Sequence, residues 1–432
     1  TSSPGLSVRR ALVATFRSVI RLYFRDIERI GTPPPADTRG RVFVSNHHNA
    51  LIDPVLVLTD TDCAISPIAK STLWNVPGLR WVLDRAGAVP IVRKKDTPNK
   101  SAADNEATFD KIATHLSGGG NILIFPEGTS HSEPQLAPLR TGAARMLVAA
   151  EGRPRRQGMP PQTFQAVALE FDARDDFRSR CLVLWGPVRS LAEIAETGEA
   201  RVAKITATMD DDLRELLVEG ATHEERRLIA RIAEMLANDT GDASLAGWNT
   251  IGRQVEAAGK ALRDFTPDVV DHVRAKVDAY YTELAHYGLT DAQLATPRAM
   301  LDKPSSRWVK RAMLAPLAIP GFALYAIPYF IPRMVARRFD PDAVSTIKLG
   351  TALVVYPLWM GGLVTLSFVV IPPPWSFGAA AIVIASPFAA LRWLDAYWNR
   401  APAHEATPEA IANLARMRIA ARTAIDDARA RL

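Results

Sequence analysis

Hydrophobic and polar residues follow several distinct patterns along the chain. Between residues 40 and 190, short apolar runs alternate with segments in which apolar residues recur at helical spacing, which is typical of alternating strands and helices. From 191 to 305 the spacing is helical and charged residues are frequent. After 306 come two long stretches without charge. The pattern therefore predicts an α/β domain, a helical region and membrane segments, in this order.

The α/β domain is predicted over residues 36–190, with strands at five apolar runs. These runs are Val42–Val44, Ala88–Val92, Ile122–Phe125, Ala166–Phe171 and Cys181–Trp185. Helices are predicted over 53–60, 72–86, 100–117 and 140–151. In the helical region, 191–305, helices are expected over 191–218, 222–237, 246–263 and 267–286. That region shows no catalytic constellation, and we expect it to shape a substrate entrance or a partner surface.

The N-terminal segment, residues 1–35, is predicted to form one amphipathic helix over Val8 to Arg29. Its arginines Arg17, Arg21 and Arg25 recur at intervals of four. The helix could pack on the α/β domain, or it could lie in the headgroup layer of a membrane with its arginines on phosphates. The membrane segments further along the chain favour the second interpretation.

The membrane segments are predicted over residues 306–400. Residues 312–332 are uncharged and hold four prolines, and basic residues flank both ends. A single span would place one basic cluster on the wrong side of the membrane. The pattern therefore favours a broken helix that enters and returns on the cytoplasmic side.

A second uncharged stretch runs from Leu349 to Leu391. Its length fits two membrane spans, over 349–371 and 375–391, joined at Pro372–Pro374. Trp375 would lie at the far interface, where aromatic residues are frequent. The tail, 401–432, is predicted to be a charged cytoplasmic helix that begins near Thr407.

Composition narrows the class of protein. The chain has 432 residues, a net charge of +6 and only two cysteines, Cys63 and Cys181. Two cysteines far apart in sequence predict neither a disulfide framework nor a metal motif, which favours a reducing, cytoplasm-facing compartment. The positive charge suits an anionic membrane. Nucleic-acid binding is disfavoured, because aromatic residues are not interleaved with the basic clusters.

One polar turn carries candidate catalytic residues. It follows the first strand and contains His47, His48 and, five residues after His48, Asp53. An aspartate that accepts a hydrogen bond from one imidazole nitrogen leaves the other nitrogen free to take a proton. We therefore predict His48 as a general base and Asp53 as the residue that orients it, with His47 as the alternative base. The turn could also be a polar helix cap.

Two further strand ends carry polar or charged residues. The strand near 88–92 runs into Arg93 and Lys94, which could grip a phosphate or form a solvated charge run. The strand near 122–125 runs into Glu127 and Gly128. The glutamate could accept from a substrate hydroxyl or pair with a cation, and the glycine would let a ligand approach the backbone. An ordinary capped turn is the alternative.

Taken together, the three stretches resemble the glycerophospholipid acyltransferase family. The order and spacing of His48 to Asp53, Gly87 to Arg93 and Phe125 to Gly128 carry this resemblance. It covers roughly residues 20–190 and implies an α/β fold with a mixed sheet flanked by helices, followed here by the helical insert and the transmembrane or re-entrant helices. It implies transfer of a fatty acyl group from coenzyme A or acyl carrier protein to a glycerol phosphate.

The resemblance also implies roles for individual residues. No cofactor is expected beyond the acyl thioester co-substrate, and no metal. An acyl-enzyme is not needed. The predicted acceptor and oxyanion contacts are Arg93, Lys94, Glu127, Gly128, Thr129, Arg140, Arg178 and Lys70.

The sequence departs from many lysophosphatidate acyltransferases after Gly128. It continues with Ser130 and His131 instead of Arg-Ser, and it carries Arg178 ahead of the fifth strand. Both features look closer to the subgroup that acylates the sn-1 hydroxyl of glycerol-3-phosphate or dihydroxyacetone phosphate, an enzyme of phospholipid biosynthesis. The alternatives are a lysophosphatidate acyltransferase and a non-catalytic lipid-binding scaffold. A multi-pass membrane location with the catalytic domain on the cytoplasmic face is expected.

Overall fold

The computed structural model describes residues 4–76, 78–92, 102–154, 158–295, 305–339, 344–398 and 407–432. It divides into two compact units, Thr1–Glu219 and Gly220–Leu432. The first unit therefore extends beyond the domain end predicted at residue 190 and includes the next helix.

Unit 1 alternates strands and helices. Its strands are β1 Asp26–Ile30, β2 Arg41–Ser45, β3 Ile65–Lys70, β4 Val89–Ile91, β5 Asn121–Ile124, β6 Thr163–Phe171 and β7 Arg180–Ser190. Its helices are α1 Pro4–Tyr23, α2 Ile52–Thr59, α3 Leu79–Ala86, α4 Ala102–Ser117, α5 Gly142–Glu151 and α6 Gly198–Leu216. The five predicted strands are all present. The pattern missed β1 and also β3, which contains Pro67 and so does not look like a central strand.

The strands form one mixed sheet in the order β1-β7-β6-β2-β5-β3-β4. Strands β2 to β6 run in one direction, and β7 is antiparallel to β6. The predicted fold class is confirmed. The central strands are buried on both faces, since Val42, Phe43 and Val44 have no exposed surface. That is why they appear in the sequence as continuous apolar runs.

Chain direction decides where the loops of the sheet meet. The connections β2-α2-β3 and β3-α3-β4 step one way along the sheet, whereas β4-α4-β5 and β5-α5-β6 step back. Right-handed crossovers therefore place α2 and α3 on one face and α4 and α5 on the other. The loops after the adjacent strands β2 and β5 leave towards opposite faces, and this is the topology at which open α/β sheets form a binding crevice at their carboxyl edge.

The N-terminal segment differs from the prediction of one helix over 8–29. Helix α1 ends at Tyr23, and residues 26–30 form β1, which pairs in parallel with β7. The side chain of Arg17 donates to the carbonyls of Thr59 and Thr61 and pairs with Asp62. This arginine is therefore held by protein groups, and the helix packs on the domain.

Unit 2 contains a helical bundle and three apolar helices. The bundle helices are α7 His223–Thr240, α8 Leu245–Phe265, α9 Pro267–His286, α10 Asp291–Ala295 and α14 Pro408–Arg429. The C-terminal helix α14 shares a hydrophobic core with the others. Buried Asp291 fixes it there by accepting hydrogen bonds from Asn238, Tyr280 and Arg418. The predicted tail thus completes the helical region.

The three apolar helices are α11 Ser305–Ala336, α12 Val344–Val370 and α13 Trp375–Trp398. Each is long and apolar enough to cross a membrane. Helix α11 is continuous through the four prolines at which the sequence predicted a break, and the re-entrant path over 312–332 stays a prediction. A proline removes the hydrogen bond to the carbonyl four residues earlier. Here Trp359 Nε1 donates to the Leu324 carbonyl that Pro328 leaves open, at 2.9 Å.

Candidate active site

The loops after β2 and β5 meet at the crevice in the carboxyl edge of the sheet. Strands β2 and β5 are parallel neighbours, and the two loops are hydrogen-bonded to each other: the amide of His131 donates to the carbonyl of His47 at 3.1 Å. Asn46 locks the end of β2 to β6, because its side chain bonds both backbone groups of Leu169. The predicted motifs around His48 and Glu127 are therefore brought together.

Asp53 accepts the hydrogen bonds that hold the loop after β2 together. Its side chain is fully buried at the first turn of α2. The Oδ2 atom accepts from the backbone amides of His48 and Asn49, each at 2.7 Å. It also accepts from the ring Nδ1 of His47 at 3.0 Å. These bonds fix the shape of the turn and place a negative charge beneath both histidines.

The prediction that Asp53 orients the ring of His48 is corrected by this arrangement. The carboxylate holds the ring of His47, and it reaches His48 through the backbone amide. His47 is buried and stacks on Phe125, with ring centroids 4.1 Å apart. Spacing in the sequence places both histidines close to Asp53, and packing against Phe125 directs the ring of His47 towards the carboxylate.

The ring of His48 is held by a different group. Its Nδ1 lies 3.1 Å from the carbonyl oxygen of His131. A carbonyl oxygen only accepts, so Nδ1 carries the proton and the lone pair of the neutral ring is on Nε2. His48 is partly exposed, whereas His47 is buried. Of the two rings, His48 is the one that a substrate can reach.

Glu127 joins the two loops and is enclosed by them. Its Oε1 accepts from the amide of His47 at 2.7 Å, and Oε2 accepts from the amide of Ala137 at 3.0 Å and from the ring of His131. The side chain has no exposed surface. The predicted direct contact of Glu127 with a substrate hydroxyl is thus replaced by a positioning role, which fixes the carbonyl that holds His48.

Gly128 makes room for Arg140. The glycine has φ +79°, and a Cβ atom there would lie 2.6 Å from Nε of Arg140. The guanidinium therefore rests against the backbone at the mouth of the crevice, and Arg140 is exposed. Thr129 is exposed beside it, with its hydroxyl donating to the carbonyl of Ser130. Both residues are therefore exposed next to Gly128, and their predicted substrate contacts stay predictions.

Arg178 does not face the crevice. Its backbone has φ 66°, and its guanidinium donates to the carbonyls of Arg21, Leu22 and Phe24. These carbonyls end α1 and begin the turn into β1, where no further helical amide is present to pair with them. The predicted phosphate contact is corrected to a helix cap.

The remaining predicted residues lie at the same edge of the sheet or outside the described part of the chain. Lys70 ends β3 and is half-buried. Arg93 and Lys94 lie outside the described residues. The sequence pattern did not single out Arg174, which lies three residues after β6 with its Nη1 3.5 Å from the carbonyl oxygen of His48. Its place just after a strand that ends at this edge is the signal that would have found it.

Both cysteines are buried, and one cavity lies at the opposite end of the strands from the His48 turn. A cavity of about 450 Å³ is lined by α1, Pro33–Ala36 and Thr59–Asp62, so it opens at the amino edge of the strands. Burial raises the pKa of the thiols of Cys63 and Cys181. A thiol of raised pKa is a poor nucleophile.

Comparison with known proteins finds similarity to one family over part of the chain. A family model described as Acyltransferase matches residues 22–163. Glycerol-3-phosphate O-acyltransferase 2 of Saccharomyces cerevisiae is 24% identical over 59% of this chain. A chloroplastic 1-acyl-sn-glycerol-3-phosphate acyltransferase of Brassica napus is 27% identical over 29% of this chain. The resemblance predicted from the three motifs is confirmed.

The chain spans only part of these curated relatives, 37% of the yeast protein and 34% of the Brassica protein. Among solved structures, it is similar to the 1-acyl-sn-glycerophosphate acyltransferase of Thermotoga maritima, at 14% identity and a TM-score of 0.34. That match covers 50% of this chain and 85% of the Thermotoga chain.

Proposed function

We propose, from the premise that residues 22–163 match the acyltransferase family, that unit 1 moves a fatty acyl group from a thioester to a hydroxyl of a glycerol phosphate. The acceptor we favour is the sn-1 hydroxyl of glycerol-3-phosphate or dihydroxyacetone phosphate. The observation that carries the proposal is the ring of His48, partly exposed at the crevice with its proton fixed on Nδ1 by the His131 carbonyl.

His48 acts as the general base. A hydroxyl is a poor nucleophile at neutral pH, so Nε2 takes its proton as the oxygen bonds to the thioester carbonyl carbon. Such positioned bases contribute about 10²–10⁴-fold. The C–S bond then breaks, and the leaving thiolate takes the proton from the imidazolium. No acyl group is attached to the protein at any stage.

Asp53 and Glu127 position this base without touching substrate. The negative charge of Asp53 lies under the backbone amide of His48 and stabilises the imidazolium that forms. Glu127 holds the ring of His131, whose carbonyl bonds His48. Both carboxylates are fully buried, so their charges are poorly screened and act more strongly than they would in water.

The acceptor phosphate is bound by cations at the mouth of the crevice. Arg140 rests on Gly128, and Arg174 lies beside the carbonyl of His48. Arg93 and Lys94 follow β4, which ends at the same edge of the sheet. Guanidinium groups suit this role because they bind phosphate oxygens with two parallel hydrogen bonds. Lys70 is our candidate for stabilising the oxyanion.

The second candidate function is acylation of lysophosphatidate, and the similarity to the Brassica enzyme favours it. A panel of acceptors separates the two. Purified full chain in lipid nanodiscs would be given glycerol-3-phosphate, dihydroxyacetone phosphate or lysophosphatidate, each with acyl-CoA and with acyl carrier protein. Acylation of lysophosphatidate alone would reject the sn-1 acceptor. Transfer to none of them by the wild type would favour the non-catalytic scaffold.

The proposed location follows from the substrates and the apolar helices. The product and the acyl chain are both amphiphilic, and three helices of unit 2 could cross a membrane. We place the catalytic unit at the cytoplasmic leaflet, where acyl-CoA and acyl carrier protein are found. Partners are then the two substrates and membrane lipids, without nucleic acid.

A further inference from the structure

An exposed aromatic and basic surface follows β3 at the edge of the sheet that carries the crevice. It consists of Val76, Arg80, Trp81 and Arg85, and we call it the α3 surface. Trp81 is 53% exposed and Val76 is 46% exposed. Large apolar side chains at neighbouring exposed positions are unfavourable in water, so such a patch indicates a surface that meets another phase or partner.

The α3 surface is positively charged. The Arg80 side chain is 75% exposed, and the Arg85 guanidinium lies 5.3 Å from the centroid of the Trp81 ring. The one acidic residue there, Asp84, accepts from Trp74 Nε1 and lies 3.8 Å from Arg80. From residue 70 to 95 the sequence has six basic residues and one acidic residue. A partner surface must therefore be anionic.

We infer that the α3 surface docks unit 1 onto an anionic membrane leaflet, with Trp81 and Val76 in the acyl boundary and Arg80 and Arg85 on lipid phosphates. Tryptophan and arginine side by side on a short helix are typical of the membrane interface. The chain supplies the proximity, because helices α11 to α13 are joined to unit 1 and could cross a bilayer. A tethered surface binds at a high effective concentration, so a small patch suffices.

Docking at this place has a consequence for the crevice. The α3 surface lies just after Lys70, at the edge where the loops of His48 and Glu127 leave the sheet. A docked unit would thus turn its crevice towards the lipid from which amphiphilic molecules arrive. The docking itself does not depend on the reaction, so it can be tested without measuring acyl transfer.

The experiment places an environment-sensitive fluorophore on the α3 surface of the full chain in nanodiscs. Trp81→Cys and Val76→Cys are labelled separately, because both positions are exposed while Cys63 and Cys181 are buried. Ala207→Cys, exposed on α6, is the matched control. With phosphatidylglycerol present, we expect both α3 labels to shift to the blue and to be quenched by nitroxide lipids, while Ala207 labels are quenched by iodide.

Variants of the two arginines form the second part of the experiment. Arg80→Gln with Arg85→Gln should lower the ratio of docked to undocked label by roughly fivefold for each arginine. A label at 81 that iodide quenches as well as it quenches the control, with phosphatidylglycerol present, would overturn the docking. A label shielded from both quenchers in every lipid would show a protein partner and would also overturn it.

Discussion

At the scale of single residues, the site depends on where three hydrogen-bond acceptors point. Asp53 holds the ring of His47, the carbonyl of His131 holds the ring of His48, and Glu127 holds the ring of His131. Each acceptor fixes one tautomer, and of the adjacent pair His47 and His48 it is His48 that combines a fixed tautomer with partial exposure. We therefore propose separate tasks for the two adjacent histidines, one structural and one catalytic.

A matched pair of asparagine variants tests this division. Asparagine supplies an N–H in place of Nδ1 but has no counterpart of Nε2. We expect His48→Asn to lose about 10²–10⁴-fold in kcat, because the base is gone. His47→Asn keeps a donor to Asp53 and should stay within roughly tenfold of wild type. Steady-state kinetics on both variants provide the measurement, and the reverse order would assign the base to His47.

Gly128 offers a second prediction at this scale. Gly128→Ala would place a methyl group 2.6 Å from Nε of Arg140 and force φ +79° on alanine. We expect the KM for the glycerol phosphate acceptor to rise about 10–100-fold, because the loss of one charge-assisted hydrogen bond weakens binding by that factor. Arg140→Gln should give a similar rise, and the double variant should add little to it. Additive effects would show that Arg140 does not bind the phosphate.

At the scale of elements, the strand with which a segment pairs can override the hydrophobic pattern of that segment. Residues 26–30 continue the helical spacing of α1, yet they form β1 because the edge of β7 supplies backbone hydrogen bonds. The chain leaves the helix at Tyr23, and Arg178 binds the carbonyls exposed there. Helix propensity amounts to less than about 1 kcal/mol per residue, so tertiary pairing readily outweighs it.

Removing this cap separates a structural role from a binding role. Arg178→Ala removes the donor to the buried carbonyl of Phe24, which costs about 1–3 kcal/mol. We therefore expect a lower thermal unfolding midpoint in detergent and an unchanged KM for the acceptor. Arg140→Gln is the converse control, with an unchanged midpoint and a raised KM. A raised KM without loss of stability in Arg178→Ala would restore its role in phosphate binding.

The prolines of the apolar helices allow a similar test. Trp359→Phe removes the donor to the Leu324 carbonyl. In a membrane, the loss of such a hydrogen bond lowers the free energy of unfolding by about 0.6–2 kcal/mol. Trp375→Phe, at an exposed position, should have little effect on thermal stability. Pro328→Ala restores the missing helical N–H, so Trp359→Phe should cost little in that background. An equal loss in both backgrounds would show that the indole does not serve the freed carbonyl.

At the scale of the whole chain, two observations in unit 2 bear on how the apolar helices cross a membrane. Helices α11 and α13 pack antiparallel: Ala318 lies against Ala390, and Tyr325 bonds the carbonyl of Val383. The start of α11 and the end of α13 are therefore at the same end of this pair. Helix α14 also packs on α9, so the segments before and after residues 305–398 share one side.

Cysteine labelling from one side of a sealed vesicle tests this topology. We expect Ala275→Cys on α9 and Ala420→Cys on α14 to react from the same side, since a packed bundle cannot straddle a bilayer. Arg338→Cys, after α11, should react from the opposite side if α11 and α13 are the crossing pair. The predicted hairpin of 349–371 and 375–391 instead places Arg338 on the first side, so the label decides between them.

The sequence by itself determined the α/β class, five strands of which four are buried, and the polar residues that follow β2 and β5. These follow from local causes. A strand that is buried on both faces appears in the sequence as an apolar run, and parallel strands bring their carboxyl ends to one edge of the sheet. The residue types of the site were visible for the same reason, because they directly follow those runs.

Only the tertiary structure decided which groups face one another. The pairing of Asp53 with His47, the capping of α1 by Arg178 and the partnership of α11 with α13 all join residues through packing. Ring direction, helix ends and helix neighbours depend on contacts between segments far apart in sequence. No periodicity along the chain encodes those contacts, because it records which face is buried and not what covers it.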